Sequence, residues 1–174
     1  IYTLSLHDAL PIYYRDMAGL LNPVDCVRLV GAIRARTDLP IQLHSHYTSG
    51  LASMTYYAGL MAGADIVDTA ISPFSMGTSQ PPTESLVAAL AGGELDTGIS
   101  LDNLVPVEEY FKTLREKYRK LLPDIGGVDI NILRYQVPGG MYSNLVNQLR
   151  EQNALDKLED VMNEISIIDR KSVV

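Results

Sequence analysis

Hydrophobic and polar positions along this chain repeat with two different periods, and the alternation between them predicts the elements. Residues 15–21 (RDMAGLL) read as the end of a strand entering a turn, after which Asn22-Pro23 supplies a helix N-cap and a first-turn proline. Val24, Val27, Val30 and Ile33 then recur at helical spacing. That helix stops before Thr37-Asp38-Leu39-Pro40. Residues 41–46 (IQLHSH) switch to the two-residue period of a strand that buries Ile41 and Leu43 on one face. Past Thr48-Ser49-Gly50, a small-residue helix carrying Leu51, Met54, Tyr57 and Leu60 closes at Gly63, and residues 64–71 (ADIVDTAI) predict another buried strand. Strand, helix, strand, helix, strand at such short separations predicts parallel βαβ units and an α/β fold.

Downstream the helical period dominates. Thr83-Glu84 opens a helix that ends at Gly92-Gly93. Ser100-Leu101-Asp102 reads as a cap, and Leu104, Val107, Phe111, Leu114 and Tyr118 form one apolar stripe up to Leu122, with Pro106 suited only to a first turn. After an irregular stretch with Gly126-Gly127, YQVPGGMYSN (135–144) leads into amphipathic helices at 145–151 and 155–165, whose Glu159 and Asp160 read as a solvated face.

In a parallel sheet the working groups sit in loops after the C-terminal strand ends, which brings residues 16–19, 44–50 and 72–82 together as candidates. The third, SPFSMGTSQPP, is too rich in Gly, Ser, Thr and Pro to be regular; it is either a plain surface loop or the wall of a substrate pocket. His44 and His46, two apart on a strand, leave the same face and aim at one point, the geometry that a divalent metal needs. Buried, hydrogen-bonded histidines are the other reading of that pair.

Composition narrows the function classes. The chain has 174 residues, 47% of them hydrophobic, and a net charge of −7 without a cluster of Lys or Arg, which argues against nucleic acid as a partner. No apolar run approaches the roughly 18 residues that cross a bilayer. The lone Cys26 forms no internal disulfide and fits a reducing, cytoplasmic compartment.

The two ends are related in an unusual way. One back-translation of HDALPI, His7 to Ile12, is the reverse complement of codons for DRKSVV, Asp169 to Val174, and YTLSLHDALPI resembles a translated sequencing-library adapter. Residues 1–12 and 169–174 are therefore set aside as adapter-derived. Removing Asp8, Asp169, Arg170 and Lys171 leaves the net charge unchanged. What lies between is expected to be a piece of a longer protein.

Taken together, RDMAGLLNP, LHSHYTSG, VDTAISPFSMGTSQPPTESLVAAL and VPGGMYSNL resemble, in order and spacing, the carboxyltransferase domain of biotin-dependent enzymes, such as the oxaloacetate decarboxylase alpha subunit and the two-subunit type of pyruvate carboxylase. The resemblance covers residues 14–165. It implies a partial (β/α)8 TIM barrel, the last three strands ending near Ala18, His46 and Ile71, over residues 13–95, followed by an α-helical extension over 96–168. It further implies that His44 and His46 are ligands of a catalytic divalent metal, zinc or manganese, and that Thr78 relays a proton between biotin and the pyruvate methyl group. Read alone, Thr78 is more simply a loop residue capping a turn. The implied partners are pyruvate or oxaloacetate and a carboxybiotin carrier on another domain or subunit, since no biotinyl Met-Lys occurs here. The parent would be a homo-oligomer; in its decarboxylase branch a partner subunit lies in a membrane, without insertion by this chain.

One position departs from the family. Arg15 stands where the family has a lysine that is carbamylated to ligate the metal, and a guanidinium stays protonated with no lone pair to offer. The family's aspartate ligand and its pyruvate-binding arginine belong to upstream sequence. Two competing readings are a metal-dependent acyl-CoA lyase or aldolase relative, against which GTSQP and VPGGMYSN speak, and a partial barrel inactive by itself. A zinc amidohydrolase needs more histidines than the three present.

Overall fold

The computed structural model describes residues 10–122, 127–129, 132–133 and 139–172. Most of the leading segment set aside above lies outside these residues, as do Gly126, the YQVP of YQVPGGMYSN, and the last two residues. Ile12 opens the first strand and donates its N–H to the Pro40 carbonyl at 2.7 Å.

Strands β1 (Ile12–Asp16), β2 (Ile41–Ser45) and β3 (Ile66–Val67) form one parallel sheet in that order. Helices α1 (Pro23–Arg34) and α2 (Ala52–Met61) make the two crossovers. After them come α3 (Thr83–Leu90), α4 (Leu101–Lys117), α5 (Gly139–Glu151) and α6 (Leu158–Ser172). This is the parallel βαβαβ order that the alternation predicts, followed by helices, and it fits the segment of a (β/α)8 barrel that the resemblance implies.

The ends of α1 follow from local chemistry. Asn22 is the N-cap, its side-chain oxygen accepting from the Asp25 N–H at 2.9 Å, and Pro23 occupies the first turn, where a missing N–H costs nothing. Register sorts the strands into two faces: Tyr14 lies beside Leu43 and Asp16 beside Ser45, while Tyr13 lies beside Gln42 and Arg15 beside His44. The first face packs on the helices, where Ile41, Leu43, Cys26, Val30, Tyr56 and Ala64 form the core. Gly59 allows the approach of α2, since a Cβ there would lie 2.4 Å from Leu43 Cδ1 and 2.9 Å from Cys26 Sγ. Burial, with the Asp16 charge behind it, pushes the Cys26 thiol up to about 11, so it stays protonated and inert at neutral pH.

Several details differ from the pattern. Of the expected stripe, Val30 and Ile33 face the core but Val24 and Val27 are exposed, and Cys26 is turned inward in their place, because periodicity fixes spacing but not phase. In α2, Met54 and Tyr57 point outward while Ala52, Thr55, Tyr56 and Gly59 face the sheet, the small residues permitting closer contact. The strand expected over 64–71 pairs only at Ile66 and Val67, and Ile66, beside Gln42 on the face away from the helices, is 39% exposed. An isolated bridge between Ala70 and Pro82 then redirects the chain. Pro106 lies in the second turn of α4, not the first; lacking an N–H, it leaves the Asp102 carbonyl without its helical donor.

The extension is fastened to the strands and their loops at two places and has a small core of its own. Phe111 meets Phe74 edge to face with ring centroids 5.9 Å apart, and Arg115 donates to the Pro73 carbonyl. Asp129 donates its N–H to the Thr48 carbonyl at 3.0 Å, Val128 lies against Gly50, and Ile132 is buried. Met162 packs with Leu145, Leu158 and Ile165, leaving Glu159 and Asp160 in solvent.

Candidate metal and carboxyl-transfer site

His44 lies one residue before the end of β2 and His46 one residue after it, so both rings emerge on the face opposite the helices. Their centroids are 5.1 Å apart and their Nε2 atoms 3.4 Å apart. Each Nδ1 has an acceptor-only partner: Asp68 Oδ2 at 2.8 Å for His44, and the Thr78 carbonyl at 2.6 Å for His46. A ring nitrogen facing such an acceptor carries the proton, which leaves both Nε2 lone pairs pointing into the shared gap.

Two nitrogens bound at about 2.0–2.1 Å to one tetrahedral zinc stand about 3.4 Å apart, so the pair fits a cation of that kind. The same separation is long for a hydrogen bond between rings. Among the described residues no group of three or more His, Cys, Asp or Glu side chains is placed to hold a metal ion. A cation held at this gap would need further ligands from outside the described residues.

Asp68, just past β3, is the residue that the pattern of the sequence did not single out. Its Oδ2 also accepts from the Tyr13 hydroxyl at 2.8 Å, and its Oδ1 from the Gln42 amide at 2.6 Å. Burial works against ionising this carboxyl, yet the hydrogen bonds from His44, Tyr13 and Gln42 together hold it below the usual carboxylate range. Period two would have placed Gln42 with His44, and Tyr13 with Arg15, on one face; only the register between strands brings them to Asp68.

The loop after β3 closes over the pair. Met76 and Gly77 adopt positive φ, and the turn is tied by the Met76 N–H to the Gln80 carbonyl and the Ser79 N–H to the Met76 carbonyl, both 2.9 Å. The Tyr47 N–H then reaches the Ser79 carbonyl at 2.8 Å, and the Gln80 amide nitrogen lies 3.4 Å from His44 Nε2. Thr78 thus adjoins His46, with its carbonyl as the engaged group. This loop lines the site face instead of serving as a plain surface connection.

One other expectation resolves differently. The 16–19 turn contributes no side chain to the pair: Asp16 faces the helices, where its carboxylate accepts from the Leu20 and Leu21 N–H groups and the Ser45 hydroxyl. Arg15, paired in register with His44, is exposed with its guanidinium 5.8 Å from the Tyr13 ring centroid. It brings a positive charge to the site face and no ligand.

Strand order, crossover helices and a histidine pair at the C-terminal end of β2 are those of part of a parallel α/β barrel domain. Residues 4–110 match the HMGL-like family and residues 132–172 a conserved carboxylase domain. One of the pyruvate carboxylase subunits of Methanocaldococcus jannaschii is 57% identical over 155 residues, covering 88% of this chain and 27% of that protein. Its counterpart in Methanothermobacter thermautotrophicus is 53% identical over 152 residues, covering 87% and 27%. The carboxyl transferase domain of Rhizobium etli pyruvate carboxylase, solved with pyruvate, superposes with a TM-score of 0.86 at 35% identity over 91% of this chain and 27% of the other. The chain belongs to the HMGL-like family, and its relatives there are the carboxyltransferase domains of biotin-dependent enzymes. It spans about a quarter of the length of these relatives. Among the described residues, no helix is long and apolar enough to cross a membrane.

Proposed function

We propose that this chain is the piece of a biotin-dependent carboxyltransferase that contributes two histidine ligands and one loop to a site moving a carboxyl group between carboxybiotin and pyruvate or oxaloacetate. The observation that carries this reading is the convergence of two Nε2 atoms at 3.4 Å, each ring held from behind through Nδ1. A divalent metal held by His44 and His46, zinc or manganese, would supply Lewis-acid polarisation of the pyruvate carbonyl. His44 and His46 keep their lone pairs available because Asp68 and the Thr78 carbonyl hold the protons on the far ring nitrogens. The Thr78 hydroxyl passes a proton between the pyruvate methyl and biotin; too weak an acid or base to act alone, it works as a relay. Biotin arrives on a carrier domain or subunit, and the parent enzyme is a cytoplasmic homo-oligomer. The direction of net transfer is set by what the enzyme is coupled to, not by these residues.

A second reading, that the 174-residue chain has no turnover of its own, is favoured by the same geometry. Two ligands beside the Arg15 guanidinium make half a site, and the sheet edges at β1 and β3 have no partner strand among the described residues. Mass-spectrometric metal content of the purified chain tests both: bound zinc or manganese well below one per chain is expected, rising toward one in Arg15→Lys. Absence of metal from both proteins would sink the metal reading for this chain.

The relay is tested in the complete enzyme. Thr78→Ala there is expected to slow carboxyl transfer by about 10²- to 10⁴-fold, and Thr78→Ser to recover much of it. An unchanged rate in Thr78→Ala would remove the hydroxyl from the mechanism and leave the residue only its carbonyl bond to His46, which alanine retains.

A further inference from the structure

We infer that Asp68 is a positioning residue that sets the tautomer and angle of His44, and that Tyr13 and Gln42 act on His44 by fixing the Asp68 carboxylate. The backbone already holds Asp68 in place, its N–H donating to the Leu43 carbonyl at 3.1 Å at the point where the β3 ladder ends. From there the side chain turns onto the site face and takes one donor from β1 and two from β2: Tyr13, Gln42 and His44. An ionised carboxylate only accepts, so with His44 Nδ1 at 2.8 Å the imidazole proton is confined to that nitrogen. The other two donors span both carboxylate oxygens and leave it little freedom to rotate away.

The two histidines are therefore held by chemically different partners. His46 is oriented by a neutral loop carbonyl, whereas His44 is oriented by a negative charge. The carboxylate offsets part of the positive charge that Arg15 brings to the same face. His44 is 15% exposed, so solvent supplies only a poor substitute for the lost acceptor when Asp68 is removed. The consequence for metal affinity rests on the metal reading above; the tautomer does not.

The test is a long-range nitrogen-15 imidazole NMR spectrum of the metal-free full chain, paired with a titration by Zn²⁺ alone. The wild type is expected to show His44 protonated at Nδ1. Asp68→Ala should revert His44 to the tautomer mixture of a free imidazole and weaken zinc binding by about 10- to 100-fold. Asp68→Asn, whose amide oxygen still accepts once Gln42 flips its own amide, should restore the tautomer, which a loss of fold would not do. A wild-type His44 protonated at Nε2 overturns the inference without any variant, as does an Asp68→Ala protein with tautomer and zinc affinity unchanged. A fixed tautomer that is lost in Asp68→Ala, in a chain that binds no zinc, supports the positioning role and overturns the metal reading instead.

Discussion

Alanine at both His44 and His46 is expected to bring the metal content of the chain down to that of a chelator-stripped control while leaving its thermal unfolding nearly unchanged. Among the described residues no group of three His, Cys, Asp or Glu side chains is placed to hold a metal ion, and the double substitution removes both nitrogen donors of the gap, leaving only the single carboxylate of Asp68 nearby. Both rings lie on the face away from the core of Cys26, Val30, Ile41, Leu43 and Tyr56, and their removal opens no cavity there. The single variants should differ. His44→Ala frees Asp68 Oδ2, which stands 2.8 Å from the vanished Nδ1 and is already ionised, so residual weak binding is expected; His46→Ala frees only a neutral carbonyl and should bind less. Metal retained in the double variant would place the binding elsewhere on the chain.

The second large effect is structural. Gly19→Ala is expected to destabilise the chain by about 2–5 kcal/mol, read as a lower urea midpoint at unchanged slope. Gly19 sits at φ +67, and an added Cβ would lie 2.4 Å from the His46 backbone oxygen and 2.9 Å from Thr48 Oγ1. Neither neighbour yields easily. The His46 N–H is bonded to the Asp16 carbonyl at 3.1 Å, and the Thr48 hydroxyl to the Ala18 carbonyl at 2.8 Å. Gly92→Ala is the control: its φ is +74 but nothing lies within 4 Å of the added carbon, so only the backbone penalty of about 1–2 kcal/mol applies. Equal losses in the two variants would mean that the turns after β1 and β2 are not locked together as described.

These two outcomes bear on what the sequence made legible. The βαβ order, the Asn22 cap and the common face of His44 and His46 are local properties, fixed by residues within a few positions of one another, and each is readable from the chain alone. Which side of α1 and α2 turns inward is not, because Val24 and Met54 are as apolar as the residues that displace them; the choice depends on Gly59 and Ala52 letting the helix approach the sheet. Asp68 is invisible for another reason. Its partners His44 and Tyr13 lie 24 and 55 positions away, and nothing short of strand register joins them. Thr78 does lie beside the pair, as its loop suggests, but the resemblance points to its hydroxyl, whereas the group the fold engages is its carbonyl.

The fastening of the extension near Gly50 has a practical side for anyone dividing this protein. The two family matches end at 110 and begin at 132, and a natural choice would be to cut between them. Yet Val128 and Asp129 lie in that interval, seated on Gly50 and on the carbonyl of Thr48, two residues beyond His46. A scission anywhere before them would leave the barrel piece without the cover of the turn that follows its histidine pair, and the helical piece with a severed tether. The seam visible to family comparison is thus the wrong place for the knife.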